Sequence, residues 1–266
     1  MTNIVFIHGL WVAHSAWEPW ISYVAEQGHH AIAPAWPGEL PTVEDTRREA
    51  AAQAGVGIDD LTAHYARLLE QFDTPPVVIG HSFGGLIAQK LLGENKAAAA
   101  VAIAPAPIKG VKPLPLPQLR SALPVLGNPL NRGRATGLSQ GQWRYGFGNA
   151  LTAAESDALW EQWSIPSPGK PLFEAATANL VRRSPAGVAT GNATRGPLLI
   201  IGGTADHTVP LVAAKAAHAL YRDSGAVTDF HEFDGRGHSL TIDHGWRDVA
   251  DETLAWMARR GVVEVA

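Results

Sequence analysis

The stretch VVIGHSFGGLIAQKLL, residues 77–92, begins as a β-branched run and ends as an apolar-periodic one. Between the two parts stands Gly80-His81-Ser82-Phe83-Gly84-Gly85, with no residues to spare for a loop. Val77, Val78 and Ile79 supply a strand, while Leu86, Ile87, Leu91 and Leu92 fall on one face of a helix. So sharp a passage from strand to helix strains the residue at its apex and crowds that residue's neighbours. Glycine two places before and two places after Ser82 removes the Cβ atoms that would clash there. The serine hydroxyl then projects at the N-terminus of the helix, where the dipole favours developing negative charge. A G-x-S-x-G turn in this context has the form of a nucleophile elbow.

Outward from the elbow, other short apolar runs recur at residues 4–7, 31–33, 98–104 and 198–201, most of them ending at glycine or proline. A last candidate, 227–233, alternates more and is expected nearer an edge. Helical patterns fall between them. Ser15-Ala16-Trp17-Glu18 has capping-box spacing ahead of a helix through Ala25, and Leu61, Tyr65, Leu68, Leu69 and Phe72 line one helical face. Strands that alternate with helices and are apolar on both sides predict an α/β fold, a mostly parallel central sheet of about six strands covered on both faces.

The alternation stops after Ala104. Residues 106–195 are proline-rich at first and then carry Trp143, Tyr145, Phe147, Trp160, Trp163 and Phe173, with no run that reads well as a strand. The expected organisation is therefore a core of residues 1–105 and 196–266 with 106–195 inserted as a lid over the strand ends. Ten Lys/Arg against four Asp/Glu give the insertion a charge of +6, which leaves −10 for the remainder of a chain whose net charge is −4. That split suits a basic lid held on an acidic body. A sharper alternative is that Arg132, Arg134 or Arg144 attracts an anionic substrate.

The whole chain, 266 residues with 46% hydrophobic and 17% charged, has the composition of a soluble globular protein. It lacks the basic tail or stripe of a nucleic-acid binder. The absence of cysteine excludes disulfides, thiolate chemistry and Cys-based zinc sites. Met1-Thr2-Asn3 leads directly into the first apolar run with no basic region or cleavage site, and no apolar stretch is long enough to span a bilayer, so a cytoplasmic location is expected.

A serine hydroxyl attacks only when a base removes its proton, and the base needs a third group to orient it. Most of the eleven histidines have no partner pattern. His238 differs, because it opens a glycine-flanked loop just after the last strand, at the same sheet edge as Ser82. For the acid, Asp206 lies in IIGGTADHTVP, immediately beyond the strand at 198–201. Asp234 competes, but it is close in sequence to His238 and could simply cap the turn. The exit after residues 98–104 offers only Ala104 and Pro105. The negative oxygen formed on attack requires preorganised donors. The N–H of Phe83 at the helix start is one. The N–H of Leu10 is the other, with Gly9 of FIHGLW letting the chain turn tightly.

These segments together resemble the α/β-hydrolase superfamily over nearly the full length, in the order Ser82, Asp206, His238. The HG-x segment, the G-H-S-x-G-G elbow, the G-x-x-D-x-x-V-P loop and the G-H loop are similar to those of single-domain esterases. The resemblance implies a catalytic triad of Ser82, Asp206 and His238 and hydrolysis of a small, moderately apolar ester without cofactor or metal. Trp11, Trp143, Trp160 and Trp163 are candidate substrate contacts. Ser82 excludes the branches with an aspartate nucleophile, and Gly9 favours hydrolysis over hydroxynitrile lyase chemistry. A lactonase, a C–C bond hydrolase, a biosynthetic thioesterase or a non-catalytic small-molecule receptor on the same framework stays open, as does oligomeric state.

Overall fold

In the computed structural model, which describes residues 1–112 and 114–263, strands β1 (Asn3–Ile7), β2 (His30–Ile32), β3 (Val77–His81) and β4 (Ala99–Ile103) come from the first part of the chain. Two short strands, β5 (Ala135–Thr136) and β6 (Ser167–Pro168), precede β7 (Leu198–Gly203) and β8 (Thr228–Phe233). Six of the eight form one sheet in the order β2-β1-β3-β4-β7-β8, and every neighbouring pair in it is parallel. The chain steps from β1 outward to β2 and then returns to place β3 on the other side of β1. Open parallel sheets bind ligands in the crevice beyond the strand ends at such a reversal.

Helices α1 (Glu18–Glu26), α2 (Val43–Arg48), α3 (Ile58–Leu69) and α4 (Phe83–Gly93) belong to the first part. The long connection holds α5 (Leu116–Leu126), α6 (Gln140–Gly146), α7 (Ala153–Trp163) and α8 (Lys170–Ala176), and α9 (Leu211–Ala219) and α10 (Trp246–Arg259) follow it. Strand side chains alternate between two cores. Val5, Ile7, Val78, Ala100, Ala102, Leu198 and Ile200 pack with α3, α4 and α9. Ile4, Phe6, Val77, Ile79, Val101, Leu199 and Ile201 pack with α1 and α10. That double burial is why the runs read as continuously apolar. All of α4 is buried, whereas β8, half exposed, forms one edge as its alternation predicts.

Two local expectations change. The Ser15-Ala16-Trp17-Glu18 box does not cap α1: His14–Trp17 winds as a 3-10 turn, and α1 starts at Glu18 with no side-chain cap bond. Pro19 in the first turn brings no N–H, so one fewer donor needs a cap. The insertion does contain strand, the two-residue antiparallel pair β5–β6. Its buried Val125, Leu138, Trp143 and Phe147 belong to the same hydrophobic cluster as α4, so it shares the core of the body. Among the described residues, no helix is long and apolar enough to cross a membrane.

Candidate active site

Ser82 adopts φ 55° and ψ −118°, a conformation that non-glycine residues rarely take. The surroundings hold it there. Its N–H donates to the Ile103 carbonyl at 2.9 Å, and its carbonyl accepts from Ala106 N at 2.9 Å and Leu86 N at 3.2 Å. A Cβ on Gly80 would lie 2.1 Å from the Gly84 carbonyl oxygen, and one on Gly84 would lie 2.1 Å from that of Ile7. The elbow glycines thus permit backbone-to-backbone contact between β3, α4 and β1. Gly9, just ahead of the turn at Leu10 and Trp11, also permits a close approach. It has no positive φ, but a Cβ there would come 2.7 Å from Ser82 Cβ.

Asp206 follows β7 and meets His238 in the loop after β8. His238 Nδ1 lies 2.7 Å from Asp206 Oδ2, and Asp206 Oδ1 accepts from the N–H groups of Thr208 and Val209, each at 2.7 Å. With both carboxylate oxygens engaged, the Nδ1 proton belongs to His238, and Nε2 carries the lone pair. That Nε2 is buried and has no hydrogen-bond partner. The bond from Ser82 Oγ to His238 Nε2 is therefore open in this conformation, as such links often are before substrate arrives. Asp234 goes elsewhere, accepting from Thr204 Oγ1 at 3.0 Å on the surface.

His81, the second residue of the elbow, joins the serine to the histidine loop. Its Nε2–H donates to the His238 carbonyl at 2.9 Å. Burial, reinforced by His238, holds His81 well below the usual histidine range and keeps it neutral. Arg236 braces the same loop by donating to the Gly245 carbonyl at 3.0 Å and by pairing with Asp243.

Leu10 and Phe83 flank the serine on the two other sides. Among the described residues, neither backbone N–H has an acceptor. The next residue, Trp11, sits at φ 66° and is fixed by the insertion. Its N–H donates to Ser167 Oγ at 2.7 Å, its Nε1–H to the Thr136 carbonyl at 3.0 Å, and its carbonyl accepts from Ile165 N at 3.1 Å. Beneath Leu10 lies a buried charge. Glu39 accepts from His14 N and contacts His14 Nδ1, both at 2.8 Å, and His8 Nε2 approaches it to 2.9 Å. Burial opposes ionisation of Glu39, yet His8 and His14 hold its carboxyl well below the ordinary glutamate range. The hydrogen bond to Glu39 raises His14 above the ordinary histidine value.

A cavity of about 180 Å³ opens onto Ser82, Phe83 and Trp11. Its far wall is built by the insertion, from α5 and α8, with Val209 of the acid loop alongside. Of the four candidate tryptophans, the structure brings Trp11 to this wall and not the other three. Trp143 is fully buried and stacks on Phe147, ring centroids 4.3 Å apart. Phe147 in turn meets the edge of the His238 ring at 4.8 Å. Trp160 donates to the Leu138 carbonyl at 3.0 Å, and the Trp163 carbonyl accepts from Ala13 N at 3.0 Å. Trp160 and Trp163 meet the body through their carbonyls, that of Trp160 accepting from Arg47 at 3.1 Å, whereas Trp143 stacks within the insertion. Sequence reasoning passed over Glu39, His81, Phe147 and Ser167. Only the aromatic 143–147 cluster and the elbow motif carried a signal for any of them.

Among the described residues, no group of three or more His, Asp or Glu is placed to hold a metal ion. The arrangement offers a histidine with a free, buried lone pair, a buried serine at the turn between β3 and α4, and two unspent N–H donors.

Among solved structures, a monoacylglycerol lipase from Paleococcus ferrophilus is similar with TM-score 0.67 and 20% identity over 97% of this chain and 94% of that one. A pyrethroid hydrolase from Sphingobium faniae gives TM-score 0.66 and 18% identity, with 97% of each chain covered. A methylesterase from Arabidopsis gives 0.66 and 14%, covering 97% of this chain and 100% of that one. At such identities the likeness is one of fold. No curated protein matches the sequence. The sequence pattern of the alpha/beta hydrolase family matches residues 4–252, and with that span covered the chain belongs to the alpha/beta hydrolase family.

Proposed function

We propose that the protein is a serine hydrolase that cleaves a carboxylic ester of a small, moderately apolar molecule through an acyl-enzyme. The observation that carries this reading is the buried, unpartnered Nε2 of His238 on a ring whose Nδ1 is bound to Asp206. A buried lone pair without a donor is costly, and the nearby serine hydroxyl is the group it suits. His238 Nε2 takes the Ser82 proton as Oγ attacks the ester carbonyl, and the N–H groups of Leu10 and Phe83 receive the oxyanion. The tetrahedral adduct collapses, His238 returns the proton to the leaving alcohol, and a water activated by the same base hydrolyses the acyl-serine. Asp206 keeps the ring oriented and stabilises its protonated form.

The cavity wall contributes binding. Its apolar lining suits a hydrocarbon body, and residues 106–195 act as the lid that shapes it. The similar structures include a monoacylglycerol lipase, a pyrethroid hydrolase and a methylesterase, which supports a hydrolase of this class.

The test is hydrolysis of p-nitrophenyl acetate by the purified protein. Ser82→Ala should lower kcat by about 10⁶-fold, the scale seen when such a nucleophile is removed. A wild-type protein without turnover of any short ester, or a Ser82→Ala variant that keeps its rate, would contradict the proposal.

A further inference from the structure

The inserted helix α5 buries two polar side chains. Its buried residues are Gln118, Ser121 and Val125, while Leu116 and Leu123 on the other side are 80% and 62% exposed. A helix folded for stability alone would turn its leucines inward. The inward face of α5 is instead a wall of the cavity beside Ser82, where both Gln118 and Ser121 stand.

The polar side chains of that wall are mostly committed. Trp11 Nε1–H donates to the Thr136 carbonyl. Asn179 donates to the Val111 carbonyl and accepts from Gly110 N. Thr208 donates its hydroxyl proton to the Gly146 carbonyl at 2.9 Å, so the 2.7 Å contact with Ser121 uses the Ser121 proton. Lys112 is exposed to solvent. Gln118 is different. It is only 9% exposed, its Oε1 is sealed without a partner, and among the described residues its amide nitrogen makes no hydrogen bond either. A largely buried primary amide whose oxygen is sealed without a partner carries a desolvation cost that a leucine at the same place would not.

We infer that Gln118 is a specificity residue that hydrogen-bonds an uncharged oxygen, a hydroxyl or carbonyl, on the otherwise apolar body of the substrate. This deepens the ester-hydrolase reading, on which it rests for the identity of the bound molecule as substrate. The amide nitrogen donates to a hydroxyl or carbonyl oxygen of the ligand, and rotation of the amide presents its oxygen instead. Sites built to bond such a group discriminate against the analogue that lacks it, because the protein amide is then left unpaired. Plain hydrocarbon esters are accordingly poorer ligands than oxygenated ones of the same length.

The probes are hexanamide and its hydroxy derivatives, with the hydroxyl moved carbon by carbon along the chain. The amide carbonyl stands in for the ester and resists turnover, so binding is read without catalysis. Calorimetric Kd values are measured for wild type, Gln118→Leu and Gln118→Met. The expected result is that one hydroxyl position binds about tenfold tighter than hexanamide to wild type, the worth of one buried hydrogen bond. Both variants should lose that preference, bind hexanamide more tightly than wild type does, and keep or raise Tm. Hexanamide as the best wild-type ligand, a hydroxyl preference that survives in both variants, or a fall in Tm in both would overturn the inference. Turnover of p-nitrophenyl acetate is followed in parallel: its absence bears on the hydrolase reading, whereas a missing hydroxyl preference bears on Gln118 alone.

Discussion

Asp206 and Asp234 end neighbouring strands of the sheet, yet their carboxylates face different worlds. Asp206 spends one oxygen on two backbone N–H groups and the other on His238. Asp234 spends one on a surface threonine hydroxyl. Asp206→Asn should therefore lower kcat by about 10⁴, because the amide leaves the imidazole in the wrong tautomer. Asp234→Asn should stay within a few-fold of wild type. Steady-state kinetics on one short ester decide the matter, and the reverse ranking would move the acid to the other strand exit. The meeting of Asp206 with His238 was legible in the sequence because a partner for the histidine must lie just beyond a strand, and the chain offers few such positions. The role of His81 was not legible. Its value lies in a bond to the backbone of a residue far along the chain, and nothing in the elbow motif says where that chain returns.

The loop holding Glu39 and the exit of β1 form one unit. Trp36 N donates to Glu39 Oε2 at 3.1 Å, Trp36 packs on the His8 ring at 4.5 Å, and His8 and His14 bracket the carboxylate. In the sequence, Glu39 reads as an ordinary acidic loop residue, since both partners come from another loop and only folding removes them from water. Glu39→Gln leaves those partners without their charge and should destabilise the fold by on the order of 3 kcal/mol. The pH dependence follows from the two shifts. Glu39 is depressed in the fold, so its contribution is present above its ordinary value of 4.5 and fades as pH falls below it. His14 is raised, so its share is complete below its ordinary value of 6.5 and is lost as pH rises through the folded value. The difference in Tm between wild type and Glu39→Gln should be largest between these limits. A difference that grows steadily towards low pH would refute the assignment. Helix α5 left no reading in the sequence: Leu116 and Leu123 are exposed, and the side facing the cavity carries Gln118 and Ser121.

At the scale of the whole molecule, the parallel sheet was readable because each strand is buried on both faces and so appears as an unbroken apolar run. The insertion was not readable beyond its composition. Its two-residue strands are too short to leave a pattern, and of its tryptophans Trp160 and Trp163 turn out to bond the body through their backbone carbonyls while Trp143 stacks on Phe147 within the insertion. The charge split between insertion and body is matched by Lys170 with Asp60 at 3.2 Å, while Glu155 of the insertion meets His244 of the body at 2.8 Å in the opposite sense, each pair worth little individually. Arg144, one candidate for an anionic substrate, is paired with Asp157 inside the insertion at 2.6 Å. What the fold assembles around one strained serine is the central claim, and covalent labelling tests it most directly. A fluorophosphonate incubated with the intact protein should add once, and peptide mapping should place the adduct on Ser82, the serine with a base and two free N–H donors at hand. Adduct at Ser15, Ser121 or Ser239 with Ser82 unmodified would contradict the account.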